Sequence, residues 1–160
     1  MDSTRTEQLL TGWLASRGAL ARVDVHELLR ELTSTRVRDA ALAIAAGYPE
    51  QARSLLEGRD QPQPWFMAGP LCGRSIAAAT RATDLLESAA SRAGELYSYA
   101  PATIGAYLDW VRGEPVGAVQ RLAKVPATYT MAGYLKYHLA IGTPPPLVLA
   151  RLDTEGSLTR

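Results

Sequence analysis

Residues 100–146, APATIGAYLDWVRGEPVGAVQRLAKVPATYTMAGYLKYHLAIGTPPP, decide the fold, because Pro and Gly divide the stretch into three helix-length pieces. Pro101 precedes Ile104, Tyr107, Leu108 and Val111 at helical spacing, and Gly113 follows them. Proline loses no needed hydrogen bond at the first helical position and glycine accepts the positive φ of a helix end, so the spacing predicts a helix of about three turns. Pro115 restarts the chain after two residues, and Val116, Val119, Leu122 and Ala123 supply the expected packing stripe up to Pro126. A third helix is expected over 128–141, with Met131, Leu135 and Leu139 inward, closed by Gly142 and the prolines after Thr143. Turns this short force neighbouring helices antiparallel.

The same punctuation extends upstream. Thr4 and Glu7 stand at capping-box spacing before Leu9, Leu10, Trp13 and Leu14, and Gly18 follows. Asp24 and Glu27 open a second helix that ends near Thr33. A third over 35–46 carries Val37, Ala41 and Ile44 and meets Gly47, and a short fourth runs from Pro49 to Gly58. A long helix is expected over 74–97, with Ile76, Ala79, Leu86, Ala90 and Ala93 on one stripe. The expectation is an all-α fold of about eight helices in one domain, residues 1–153. An irregular proline-rich loop interrupts it at 59–73, and a frayed tail occupies 154–160. The last three helices are expected to form a tetratricopeptide-like antiparallel layer.

Composition narrows the function classes. In 160 residues, 17 basic and 16 acidic side chains leave a net charge of +1, so no global field gathers nucleic acid or an anionic membrane. All the basic residues but Lys124 and Lys136 are Arg, a bias that fits a high-GC bacterial or phage source. Cys72 stands alone, which excludes an internal disulfide. No apolar run approaches the roughly 20 residues of a membrane span, and the N-terminus lacks a cationic start followed by an apolar core. A cytoplasmic location is expected.

Catalytic constellations are thin. His26 and His138 are the only imidazoles and share no metal-binding spacing, and Cys72 has no base placed beside it by any motif. The run from Gly69 to Ser75 lacks the lysine of a phosphate loop. The reading is therefore a non-enzyme, with no cofactor and no metal.

Two interaction readings remain. Tyr107 with Trp110, and Tyr134 with Tyr137, are pairs three residues apart that share a helix face. They suit either packing between helices or a surface that receives a protein partner. The loop aromatics Trp65 and Phe66, with Met67, are a second candidate anchor, or a plug that pins the loop. The alternative is a small DNA-binding regulator. Residues 25–33 and 35–46 would then form a helix-turn-helix-like pair with Arg36 and Arg38 at the recognition-helix N-terminus. A homo-oligomer is left open.

The pattern Gly105, Leu108, Ala118, Leu122, Pro126 is distantly similar to a tetratricopeptide hairpin. Residues 28–146 more closely resemble the C-terminal half of an uncharacterised helical domain family of high-GC Gram-positive (actinobacterial) bacteria. The likeness rests on Val37-Arg38-Asp39 at a helix start, a proline-led helix with Trp110 before Gly113, the Pro126–Tyr129 step, and Gly142 with Pro144 and Pro145. This resemblance implies a helical fold and supplies no activity.

Overall fold

The computed structural model describes residues 2–15, 22–59 and 73–143. The chain is all-helical, with eight α-helices and no strand among those residues: α1 (Ser3–Ala15), α2 (Arg22–Glu31), α3 (Thr35–Ala45), α4 (Pro49–Glu57), α5 (Gly73–Ala93), α6 (Glu95–Val111), α7 (Pro115–Leu122) and α8 (Thr130–Ala140). None of these helices is long and apolar enough to cross a membrane. One contiguous hydrophobic core draws on α1 through α8.

α3 and α6 are the core helices. Apolar residues surround each on more than one face, so both are buried almost all round rather than along a single stripe. α3 packs chiefly on α4, and α6 packs on α5 and α7. A shared device reverses the chain after both. The N–H of Tyr48 bonds the Ala43 carbonyl at 2.8 Å, and that of Glu114 bonds the Asp109 carbonyl at 2.8 Å. Each closure places a glycine in the left-handed region, Gly47 at φ 93° and Gly113 at φ 81°, where a Cβ would be strained. Pro49 and Pro115 then open α4 and α7 at positions that need no donor.

Four boundaries differ from the sequence expectation. α1 is capped by Asp2, whose Oδ1 accepts the amides of Thr4 at 3.1 Å and Arg5 at 3.3 Å. Thr4 and Glu7 therefore lie inside the helix and form no capping box. The break after α5 falls at Gly94, φ 126°, and Pro101 sits within α6 instead of starting it. A proline there removes the bond to the Tyr97 carbonyl, and the burial of residues 103–111 outweighs that loss. α7 ends at Leu122, and α8 begins at Thr130, two residues later than expected.

The packing face of α7 is also corrected. Ala118 and Leu122 are buried, whereas Val116 and Val119 are 70% and 55% exposed. Small residues allow the close approach: a Cβ built on Gly117 would stand 2.9 Å from Asp109 Oδ2. α7 thus turns its smallest residues inward and its valines to solvent.

Candidate functional site

The aromatic residues of α6 and α8 form a graded stack from core to surface. Tyr107 is fully buried, and burial pushes its hydroxyl pKa well up. Its ring meets Trp110 edge-on at 6.4 Å, and Trp110, 3% exposed, lies 6.1 Å from the His138 ring. His138 in turn lies 4.1 Å from Tyr134 and 5.3 Å, edge-on, from Tyr137. Tyr134 and Tyr137 are 39% and 61% exposed.

The periodicity of α8 produces this arrangement. Met131, Ala132 and Leu135 fill the core face, which leaves Tyr134, Tyr137 and Ile141 as an outward stripe at i, i+3 and i+7. The N–H of Thr143 bonds the His138 carbonyl at 2.9 Å, closing the helix. Trp110 Nε1–H donates to the Thr143 carbonyl at 3.3 Å, and His138 Nδ1 lies 3.1 Å from Thr143 Oγ1. The exposed tyrosines therefore rest on side chains that are themselves held.

The four aromatic partner residues expected from the sequence separate into two roles. Tyr134 and Tyr137 reach solvent, while Tyr107 and Trp110 are buried and cannot touch a partner. That is a correction with a simple cause: α6 is covered by helices on several sides, so sharing a face does not expose that face. His138, Ile141 and Thr143 belong to the arrangement and were not among the expected partner residues. The i+4 and i+7 offsets of His138 and Ile141 from Tyr134 were the available signal. Trp65, Phe66, Met67 and Cys72 lie outside the described residues.

The expected helix pair is present as α2 and α3, but its two arginines have different fates. Arg36 is exposed. Arg38 is 4% exposed, donates through Nε and Nη2 to Asp39 Oδ1 at 2.8 and 2.5 Å, and lies 5.1 Å from the centroid of the Tyr129 ring. Burial pushes the Asp39 carboxyl up, against the pull of Arg38. Arg38 is therefore unavailable to a phosphate.

A second ionic cluster lies at the α5–α6–α7 junction. Arg121 donates to Asp109 at 2.7 Å, to Glu87 at 2.6 Å and to Asp84 at 2.6 Å. Burial opposes its charge, yet the bonds to Asp84 and Asp109 and the charge of Glu87 hold the guanidinium above its ordinary range. Burial pushes Glu87 up against Arg121, and the charges of Asp84 and Asp109 add to that rise. An open cleft of about 550 Å³ lies between α2 and the α5–α6 break, lined by His26, Glu27, Leu29, Arg30, Ala93 and Tyr97. Glu27 there is already engaged by Arg5 at 2.6 Å. Among the described residues no group of three His, Cys, Asp or Glu side chains is placed to hold a metal ion.

Searches of protein-family models, curated proteins and solved structures find no match to this chain.

Proposed function

We propose that this chain is a non-catalytic protein-interaction module, which seats an apolar segment of a protein partner on the Tyr134–Tyr137–Ile141 edge of α8. The observation that carries the reading is that edge itself: two tyrosines exposed together and backed by His138 on a buried tryptophan. Aromatic anchors give contact area at small entropic cost, and a rigid backing lowers that cost further. Tyr107 and Trp110 act here as a buttress, not as contacts. Antiparallel helical hairpins of the tetratricopeptide kind commonly receive a peptide or helix in this way.

The test is retention of proteins from a lysate on the immobilised full chain, against a Tyr134→Ala, Tyr137→Ala variant, with a nuclease-treated arm. A specific protein is expected to survive nuclease and to lose about tenfold or more in retention on the variant, the scale of one aromatic hot spot. Circular dichroism and melting should be nearly unchanged, because both side chains face water. Retention indifferent to the two substitutions removes α8 as the seat. Retention that vanishes with nuclease and with Arg36→Ala transfers the reading to nucleic acid at α3.

A further inference from the structure

Charge is segregated along this chain. Every acidic side chain of the described residues lies before Pro115, and from Pro115 to Thr143 there is no Asp or Glu, only Arg121, Lys124 and Lys136 with His138. Arg121 is consumed by the carboxylates of α5 and α6. The two lysines, the only ones in the chain, are ion-paired to no carboxylate among the described residues. Lys136 spends one donor on the Val125 carbonyl at 2.5 Å and keeps its whole charge, and Lys124, the residue before that carbonyl, is exposed. Both lysines thus gather where α7 ends beside α8. At about 100° per residue, Lys136 falls on one flank of α8 and His138 on the other, with Tyr137 between Lys136 and Tyr134 around the helix. The large exposed apolar side chains outside this layer, Leu85 and Leu96, stand instead in helix turns that carry an acid, Asp84 and Glu95.

We infer that the segment seated on the Tyr134–Tyr137–Ile141 edge is acidic: an apolar stretch of a protein partner, flanked by Asp or Glu, that meets the positive field of Lys124 and Lys136. The inference rests on the reading of this edge as a partner's seat and adds what that partner must carry. Exposed ion pairs contribute little affinity, so the aromatic edge supplies the hold. Charge supplies the choice, because like charges brought together across an interface cost more than rim pairs return. A basic apolar segment is therefore turned away from an edge that its side chains would otherwise fit. Two lysines are too few for a polyanion: each contributes about 1 kcal/mol at an anionic membrane, and nucleic-acid affinity grows with the number of phosphates neutralised.

Selection from a phage-displayed library of random peptides tests this on the immobilised full chain, with Tyr134→Ala, Tyr137→Ala in parallel. Peptides that prefer the wild type are expected to join aromatic or aliphatic anchors to an excess of Asp and Glu over Lys and Arg. The same anchors in neutral or basic sequences overturn the inference and leave the edge as a seat. Failure to enrich any peptide over the tyrosine variant removes the seat, and the inference with it. A synthetic peptide of the enriched sequence, followed by fluorescence anisotropy, then isolates the lysines. Lys124→Glu should weaken its binding about three- to tenfold at low salt, and the loss should shrink as salt is raised. A copy with Asn and Gln in place of Asp and Glu should bind both chains alike. Equal binding of the acidic peptide to wild type and Lys124→Glu overturns the inference. So does tighter binding of a single-stranded oligonucleotide or of phosphatidylserine vesicles that Lys124→Glu abolishes, which assigns the field to phosphate.

Discussion

The α3–α4 hairpin turns through Gly47-Tyr48-Pro49 and the α6–α7 hairpin through Gly113-Glu114-Pro115, with the same closing hydrogen bonds and the same proline start. Alanine follows each proline at the third position, Ala52 and Ala118, and both are fully buried. The two hairpins then part. Three residues further on, α4 places Leu55 in the core, whereas α7 places Arg121 among three carboxylates. α3 closes its charges on itself through the neighbours Arg38 and Asp39, while the Asp109 carboxylate of α6 reaches across to α7. One backbone device therefore serves two kinds of interface: a dry one that fixes the centre of the molecule, and an ionic one that fastens an outer helix with exposed valines.

The sharpest way to break the comparison is at the buried ion pair that α3 closes on itself, beside Tyr129. Arg38→Ala leaves Asp39 buried without its counter-ion, and the expected loss is about 3–5 kcal/mol in urea unfolding. Arg38→Ala combined with Asp39→Ala removes the orphaned charge and should recover part of that loss. If Arg38→Ala costs no more than an exposed substitution such as Arg36→Ala, the pair does not hold the centre.

The ionic interface should yield less. Arg121→Leu reproduces on α7 the residue that α4 carries at the same place, but it leaves Asp109, 6% exposed, without its partner. A loss of about 1–3 kcal/mol is expected, because Asp84 and Glu87 relax toward water and only Asp109 bears a full burial cost. A neutral result would mean that the two hairpins are interchangeable in their packing as well as in their turns.

The turns were legible in the sequence because their causes are local. Gly47, Gly113 and Gly142 answer a φ that other residues resist, and Pro49 and Pro115 occupy positions that need no N–H. Pro101 was misleading for the same reason: its local preference for a helix start yielded to tertiary packing along α6. The inward face of α7 was hidden because size and hydrophobicity favour Val116 and Val119, while close approach to α6 demanded Gly117 and Ala118. At the candidate site, the spacing of Tyr134 and Tyr137 placed them on one face. The same spacing placed Tyr107 and Trp110, and no single-helix pattern distinguishes a face covered by neighbours from one left open. Arg38 shows the converse, since the adjacent Asp39 was visible and the depth of burial was not.

The smallest expected effect separates burial from charge at the α5–α7 contact. Glu87 faces Arg121 and, at longer range, Asp84 and Asp109, and burial outweighs the guanidinium so that its carboxyl titrates above its ordinary range. As pH falls from neutral, the folded chain takes up this proton before the unfolded chain does. Glu87 therefore contributes stability that is complete below its ordinary pKa and is lost as pH rises through its raised value. Asp39 shifts in the same direction, so the wild-type curve alone does not isolate Glu87. The difference between wild type and Glu87→Gln does, because Gln keeps an oxygen toward Arg121 and has no proton to take up. Unfolding free energy of wild type relative to Glu87→Gln should rise, by less than about 1 kcal/mol, as pH drops through the window just above the ordinary glutamate range. A difference that falls with pH would mean that Arg121 outweighs burial, and that the ionic interface of α7 draws on the Glu87 charge rather than tolerating it.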